Sequence, residues 1–364
     1  MFRYLMGIIW GVMAVVGMGY GLPQGSAAEP EPHLLPGAPA PKIAVAEWIN
    51  GEKVTEFAPD KIYVLDFWAT WCEPCKKTIP ELSKLQQKFT DQGVVFLGIC
   101  ISEDESGDAA DFVKKLGKKL TYSMALDDME EGEEGAMTLN WLDAAEQDSI
   151  PVVFVVQNQK IAWIGHPDEL APILPQIVEK KWDIEKAKSE YLAAAIQNRK
   201  LLEIQDKLDA AIEGQKPDEA LAAIDELVKL EPDAAKEANA LKFLTLIEMD
   251  ATTEAYKMGD KLLEEYKDDA ETLNEISWAI LDTEDLSERD LDLSLKVAER
   301  ANTVAKGEAP EILDTLARAH YEKGNVDKAI EFQSQAVEKV PADEKELKKE
   351  LQKTLKAYQA KKAV

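Results

Sequence analysis

Two cysteines separated by two residues, Cys72 and Cys75, stand where an apolar β-forming run, Ile62–Trp68, gives way to a stretch of helical period, Glu73–Phe89. Only one other cysteine, Cys100, occurs in the chain, so the pair is not part of a disulfide scaffold. A strand must therefore end against the start of a helix, with both thiols in the helix's first turn. Ile79, Leu82, Leu85 and Phe89 give that helix its apolar face. Pro74 is tolerated because first-turn N–H groups have no helical acceptor, whereas Pro80 is expected to kink the helix. Two such thiols are close enough to close a small disulfide. The positive helix end and its unsatisfied N–H groups favour negative charge on the outer sulfur. Cys72 is thus the expected nucleophile and Cys75, one turn deeper, the resolving thiol. The alternatives are a static disulfide or half a zinc site. Zinc needs two further ligands, and Cys100, His33, His166 and His320 show no second ligand pair.

Around this junction the periods alternate. Lys42 to Trp48 and Lys53 to Phe57 flank Asn50-Gly51, a dipeptide suited to a type I′ turn, so an N-terminal hairpin is expected. Val94 to Ile101 reads as a buried strand, Ala109 to Leu116 as a helix, and Leu139 to Ala145 as a short helical piece. Val152 to Val156 and Ile161 to Ile164 are adjacent strands, followed by a closing helix to about Lys181. This order predicts an α/β domain: a mixed sheet with helices on both faces.

The run Asp66-Phe67-Trp68-Ala69-Thr70-Trp71-Cys72-Glu73-Pro74-Cys75 resembles the active site of the thioredoxin superfamily, specifically its exported TlpA/ResA-like branch. The resemblance covers residues 42–181. It implies a thioredoxin-like fold and a thiol–disulfide oxidoreductase with no cofactor beyond a redox-active Cys72–Cys75 disulfide. It further implies a cis-proline at Ile150-Pro151, facing the disulfide and contacting the substrate peptide, and a buried acid, Asp66, acting as proton relay for Cys75. Trp71, Glu73 and Pro74 beside the sulfurs join Ile150 and Pro151 as substrate-contact positions. Implied partners are client proteins with thiols or disulfides and a membrane or envelope thiol electron donor. For Asp66 the alternative is a strand acid with an ordinary hydrogen bond; Trp68 is read as a buried anchor and Trp71 as an exposed lid. Glu73 places a carboxylate next to Cys72, which disfavours the thiolate and leans the dithiol towards a reductant. A thiol peroxidase would need proline in place of Leu65 and threonine in place of Ala69, so its motif is absent. A scaffold protein with an accessory redox domain is the remaining alternative.

Other candidates receive plain readings. Cys100 lies in an apolar strand, where a buried structural cysteine is expected over a third redox thiol. His166 is read as a turn residue. The acidic stretch Asp127 to Gly135 fails as an EF-hand, with Met129 and Thr138 at ligand positions, and is expected to be a solvated loop.

From residue 182 to 364 the pattern is helical throughout. Leu313, Leu316, Ala317, Tyr321, Gly324, Ala329, Ile330, Ala336 and Pro341 resemble one tetratricopeptide unit. Ala220, Ala255, Ser294 and Ala329 recur at intervals of about 35–39 residues, near the ~34 of that repeat, although a generic helical bundle is the alternative. His320 and Gln333 stand where the repeat usually has aromatics. Glu344 to Lys361 reads as a capping helix. Such an array implies a peptide or protein ligand, and a basic one suits the net charge of −14 carried by residues 181–364. The same acidity excludes nucleic acid as a partner. Residues 1–28 combine Arg3, an apolar run and Ser26-Ala27-Ala28, the pattern of an export signal; without cleavage it would be an anchor. Residues 29–41, rich in proline, are expected to form an extended leader.

Overall fold

The computed structural model describes residues 32–101, 106–129 and 134–362. The expected export segment, residues 1–28, and the start of the leader lie outside the described residues, as does part of the acidic stretch. The chain forms two compact units, one ending at Arg199 and one beginning at Lys200. Among the described residues no helix is long and apolar enough to cross a membrane.

The first unit is built on six strands: β1 (Val45–Asn50), β2 (Ile62–Trp68), β3 (Val94–Cys100), β4 (Ser123–Asp127), β5 (Val152–Gln157) and β6 (Lys160–Gly165). Their order across the sheet is β1-β4-β3-β2-β5-β6. β2 pairs parallel to β3, and β3 parallel to β4; β1, β5 and β6 each pair antiparallel to a neighbour. Helix α1 (Glu73–Phe89) follows β2, α2 (Ser106–Leu116) follows β3, and α3 (Leu170–Val178) follows β6. All seven residues of β2 are buried, as the middle of a sheet covered on both faces requires. Alternation then sorts its side chains. Val64 and Trp68 pack with Ile79, Leu82, Leu170 and Leu174 on the face of α1 and α3. Tyr63, Leu65 and Phe67 pack with Trp141, Phe154 and Leu34 on the other.

One expectation is corrected here. The N-terminal hairpin does not form: Val45–Asn50 is a strand, but residues 53–57 are not, and β1 pairs with β4 instead. Asn50 supports this pairing through its side chain, since Oδ1 accepts from the Met124 N–H at 2.6 Å. The strand β4 itself was not anticipated; it fills the place between β1 and β3. The described part of the leader packs on the domain. Leu34 and Leu35 are buried, and residues 37–40 bond to the start of β6: Gly37 N–H donates to Ile161 O at 2.8 Å and Ile161 N–H to Ala38 O at 2.9 Å.

The acidic stretch begins with a buried clasp. Asp127 Oδ1 accepts from the N–H groups of Asp128 and Met137, and Oδ2 from the Thr138 N–H and hydroxyl, all within 2.9 Å. A side chain at Gly135 would collide with that carboxylate, its Cβ falling 2.0 Å from Oδ2. Asp127 is thus a structural residue that closes its loop, not a solvated one.

The second unit is all helical. It contains the end of α4 (Ile184–Glu213), then α5 (Pro217–Leu230), α6 (Ala238–Glu248), α7 (Thr252–Tyr256), α8 (Gly259–Glu265), α9 (Ala270–Asp282), α10 (Leu291–Val304), α11 (Pro310–Glu322), α12 (Val326–Lys339) and α13 (Lys345–Lys362). From α9 onward, successive helices pack on one another. The recurring small residues Ala220, Ala255, Ser294 and Ala329 are all fully buried, which lets helix pairs approach closely and fits a repeat. Ser277 and Ser294 meet across α9 and α10, their hydroxyls 2.9 Å apart. His320 and Gln333 are buried as well; the imidazole stacks on Phe332 and the amide donates to Asp314 at 2.7 Å.

Candidate functional site

β2 ends at Trp68, and after a short turn Cys72 takes the N-cap position of α1 in an extended conformation, φ −80° and ψ 97°. Its sulfur accepts from the Cys75 N–H at 3.2 Å, which satisfies one of the N–H groups a helix start leaves open. Cys72 and Cys75 form a disulfide with Cα atoms 5.3 Å apart. Pro74 falls in the first turn without cost, and the helix runs on through Pro80. Cys75 is fully enclosed, whereas Cys72 retains 3% exposure and is followed by the surface of the helix start. Beside it Trp71 is 62% exposed, an unusual setting for so large an apolar ring, while Trp68 is wholly buried against Phe112.

Ile150-Pro151 is a cis peptide immediately before β5. It belongs to the same site: the Cys72 sulfur lies 3.7 Å from the Ile150 carbonyl oxygen. The fold therefore brings together Trp71, Cys72, Glu73, Pro74, Cys75, Ile150 and Pro151. Glu73 is solvent-exposed and paired with Lys76 at 2.5 Å, and this ammonium holds its carboxyl below the usual range. The negative charge beside Cys72 is accordingly offset, which weakens the inference drawn from Glu73 alone.

Asp66 is on β2, fully buried and opposite Gly98 of β3. Burial pushes its carboxyl up to about 7, and a hydrogen bond from the Tyr122 hydroxyl to Oδ2 at 2.8 Å pulls in the opposite direction. Its Oδ1 has no hydrogen-bond partner. A buried acid that changes charge near neutrality is suited to taking up and releasing protons. Tyr122 was not foreseen, because it immediately precedes the unrecognised strand β4. Gly98 is equally necessary, since a Cβ there would meet Met124 Sδ at 2.0 Å and Trp68 Nε1 at 3.2 Å. Changing Tyr122 to Phe should raise the Asp66 pKa further by deleting its donor. A carboxyl carbon titration by NMR checks this; an unchanged or lowered value would refute the assignment.

The remaining candidates fall outside the site. Cys100 is buried at the end of β3, next to Trp68 in the sheet register. His166 accepts from the Asp168 N–H at 3.3 Å and caps the short turn before α3. Among the described residues no three His, Cys, Asp or Glu side chains gather as a metal site.

A mixed sheet with a Cys-x-x-Cys disulfide at a strand-to-helix junction, beside a cis-proline, defines a thioredoxin-like redox protein. Residues 36–164 match the AhpC/TSA family. Protein FixW of Rhizobium leguminosarum is 33% identical over 206 residues, 54% of this chain and 92% of FixW. The thiol-disulfide oxidoreductase ResA of Bacillus cereus is 30% identical over 126 residues, 34% of this chain and 70% of ResA. A solution structure of a thiol:disulfide interchange protein from Bacteroides sp. aligns at 21% identity over 40% of this chain and 92% of its own, with a TM-score of 0.32. The chain belongs to the redoxin family that contains FixW and ResA, and it is a thioredoxin-like thiol–disulfide oxidoreductase.

Proposed function

We propose that this protein is an exported oxidoreductase that reduces disulfides in client proteins, using the Cys72–Cys75 dithiol as its only redox group. In the reduced form the Cys72 thiolate attacks a client disulfide. A mixed disulfide forms, and the departing client thiolate takes a proton. Asp66 accepts the proton of Cys75, whose sulfur then attacks Cys72, closing the internal disulfide and releasing the second client thiol. Two electrons pass to the client and return to the protein from an envelope thiol donor. The Ile150 backbone beside Pro151 aligns the client strand, and Trp71 covers the reacting sulfurs. Export rests on the pattern of residues 1–28. The helical unit supplies a surface for a protein or peptide partner.

The observation that carries this reading is the placing of the Cys72 sulfur at a helix N-cap, 3.7 Å from the carbonyl beside the cis-proline. The same contact supports the reducing direction. A carbonyl oxygen is the negative end of its dipole and opposes a thiolate at Cys72, partly cancelling the stabilisation from the Cys75 N–H. A thiolate held less firmly makes the dithiol a stronger electron donor. Equilibration with glutathione should give a potential near the roughly −270 mV of thioredoxin; a value near the roughly −120 mV of DsbA would reject the reducing role.

A further inference from the structure

The turn that delivers Ile150 to the disulfide is gripped from outside the thioredoxin-like sheet, by α4. The Tyr191 hydroxyl donates to the Ala145 carbonyl at 2.5 Å and accepts from Gln147 Nε2 at 2.9 Å. Two turns further along, Arg199 grips the Glu146 carboxylate with a two-point fork: Nε to Oε2 at 2.8 Å and Nη2 to Oε1 at 2.5 Å. Eight residues of helix rise about 12 Å and end about 80° round from the start, within the width of one helix face, so one broad face of α4 supplies both grips. Between them stands Glu146 in the left-handed region at φ 54°, a conformation that a residue with a side chain adopts only when its surroundings hold it. The Gln147 N–H donates back to Leu142 O at 2.9 Å and closes the turn. Three residues later comes Ile150, whose carbonyl faces Cys72. Nothing in the chemistry of the sulfurs requires these contacts. They fix the path by which the chain reaches the cis-proline.

We propose that Tyr191 and Arg199 are positioning residues for thiol–disulfide exchange, holding the 145–147 turn so that Ile150 and Pro151 meet a client strand in a fixed place. This rests on the reading that clients align along Ile150-Pro151. A small disulfide that reaches Cys72 without docking does not need the turn held; a protein disulfide does.

The test compares two substrates on the full chain, insulin as a protein disulfide and hydroxyethyl disulfide as a small one. Glu146→Arg and Arg199→Glu should each raise the KM for insulin by about 10-fold with kcat retained, the pattern of a docking interaction lost equally from ground and transition states. Tyr191→Phe should act in the same direction more weakly. The rate with hydroxyethyl disulfide and the glutathione equilibrium should stay unchanged. Combining Glu146→Arg with Arg199→Glu restores the ion pair in reverse and should recover most of the lost affinity. Pro151→Ala serves as the control for the parent reading. If it leaves the insulin KM unchanged, client alignment at this loop is wrong and the present inference falls with it. If Pro151→Ala raises KM and the α4 variants do not, the inference alone fails. It also fails if those variants slow both substrates equally, or if the reversed pair is no better than the single changes.

Discussion

Asp66→Asn should raise the unfolding free energy of the first unit at pH 8 by up to about 4 kcal/mol and change it little at pH 3. In the folded protein the Asp66 carboxyl titrates at about 7, against 3.8 when solvated. Below pH 3.8 folded and unfolded chains both carry the proton, and the neutral acid is buried at no ionic cost. As pH rises from there, the unfolded chain releases the proton while the folded chain retains it, so stability is lost progressively until the folded carboxyl also ionises near pH 7. The interval of roughly three pKa units at about 1.36 kcal/mol each sets the size of the loss. Asparagine has the same shape, keeps an oxygen for the Tyr122 hydroxyl and never ionises. Its extra N–H groups need a partner, which makes the figure an upper value. Amide exchange along the β2–β3 ladder reports this unit separately from the helical one. A gain that is equal at pH 3 and pH 8 would show that Asp66 does not titrate as described. The same change should slow exchange near neutrality, because it removes the group assigned to deprotonate Cys75. A stability cost retained at one buried position is what a functional acid entails.

The contrast between what was legible in the sequence and what was not follows from the range of the interactions. The Cys72–Cys75 junction was readable because a strand, a helix start and a first-turn proline are local signals, each spanning a few residues. The buried strands β2, β3 and β5 announced themselves as apolar runs. By contrast, the partner of Asp66 is 56 residues away in sequence, and Tyr122 precedes a five-residue strand that begins with serine and ends with aspartate. No local period identifies so short an element. The hairpin expected at Asn50-Gly51 failed for a related reason: the dipeptide does turn the chain, with Gly51 at φ 74°, but the pairing energy lies with β4, which the turn signal cannot see. Asp127 was misread because six acids in sequence look alike until one of them finds four donors. In the second unit the small residues could be placed by their spacing, since close helix crossings demand them wherever they occur.

Replacing Cys75 with Ser should turn a transient intermediate into a product: mixed disulfides between Cys72 and client proteins should accumulate, and multiple-turnover reduction should fall by on the order of 10³-fold. The structure makes the two cysteines unequal. Cys72 caps α1, receives the Cys75 N–H and keeps a residual 3% exposure next to the exposed Trp71; Cys75 has none. The outer, capping sulfur is the one assigned to meet a client disulfide, and the fully buried Cys75 is assigned to resolve the mixed disulfide. Cys72→Ser should therefore abolish turnover to the same extent and trap nothing, because the remaining thiol is buried and lacks access to a client. Whole-cell extracts treated with an alkylating agent and separated without reductant distinguish the two variants directly. Adducts formed by the Cys72→Ser protein through Cys75 would reverse the roles of the sulfurs. Full multiple turnover by either single variant would remove the dithiol mechanism, since a serine hydroxyl can neither accept the client sulfur nor resolve the mixed disulfide. The outcome thus depends on one geometric difference, a cap position against an enclosed one three residues later, and it is this difference that makes exchange directional along the pair.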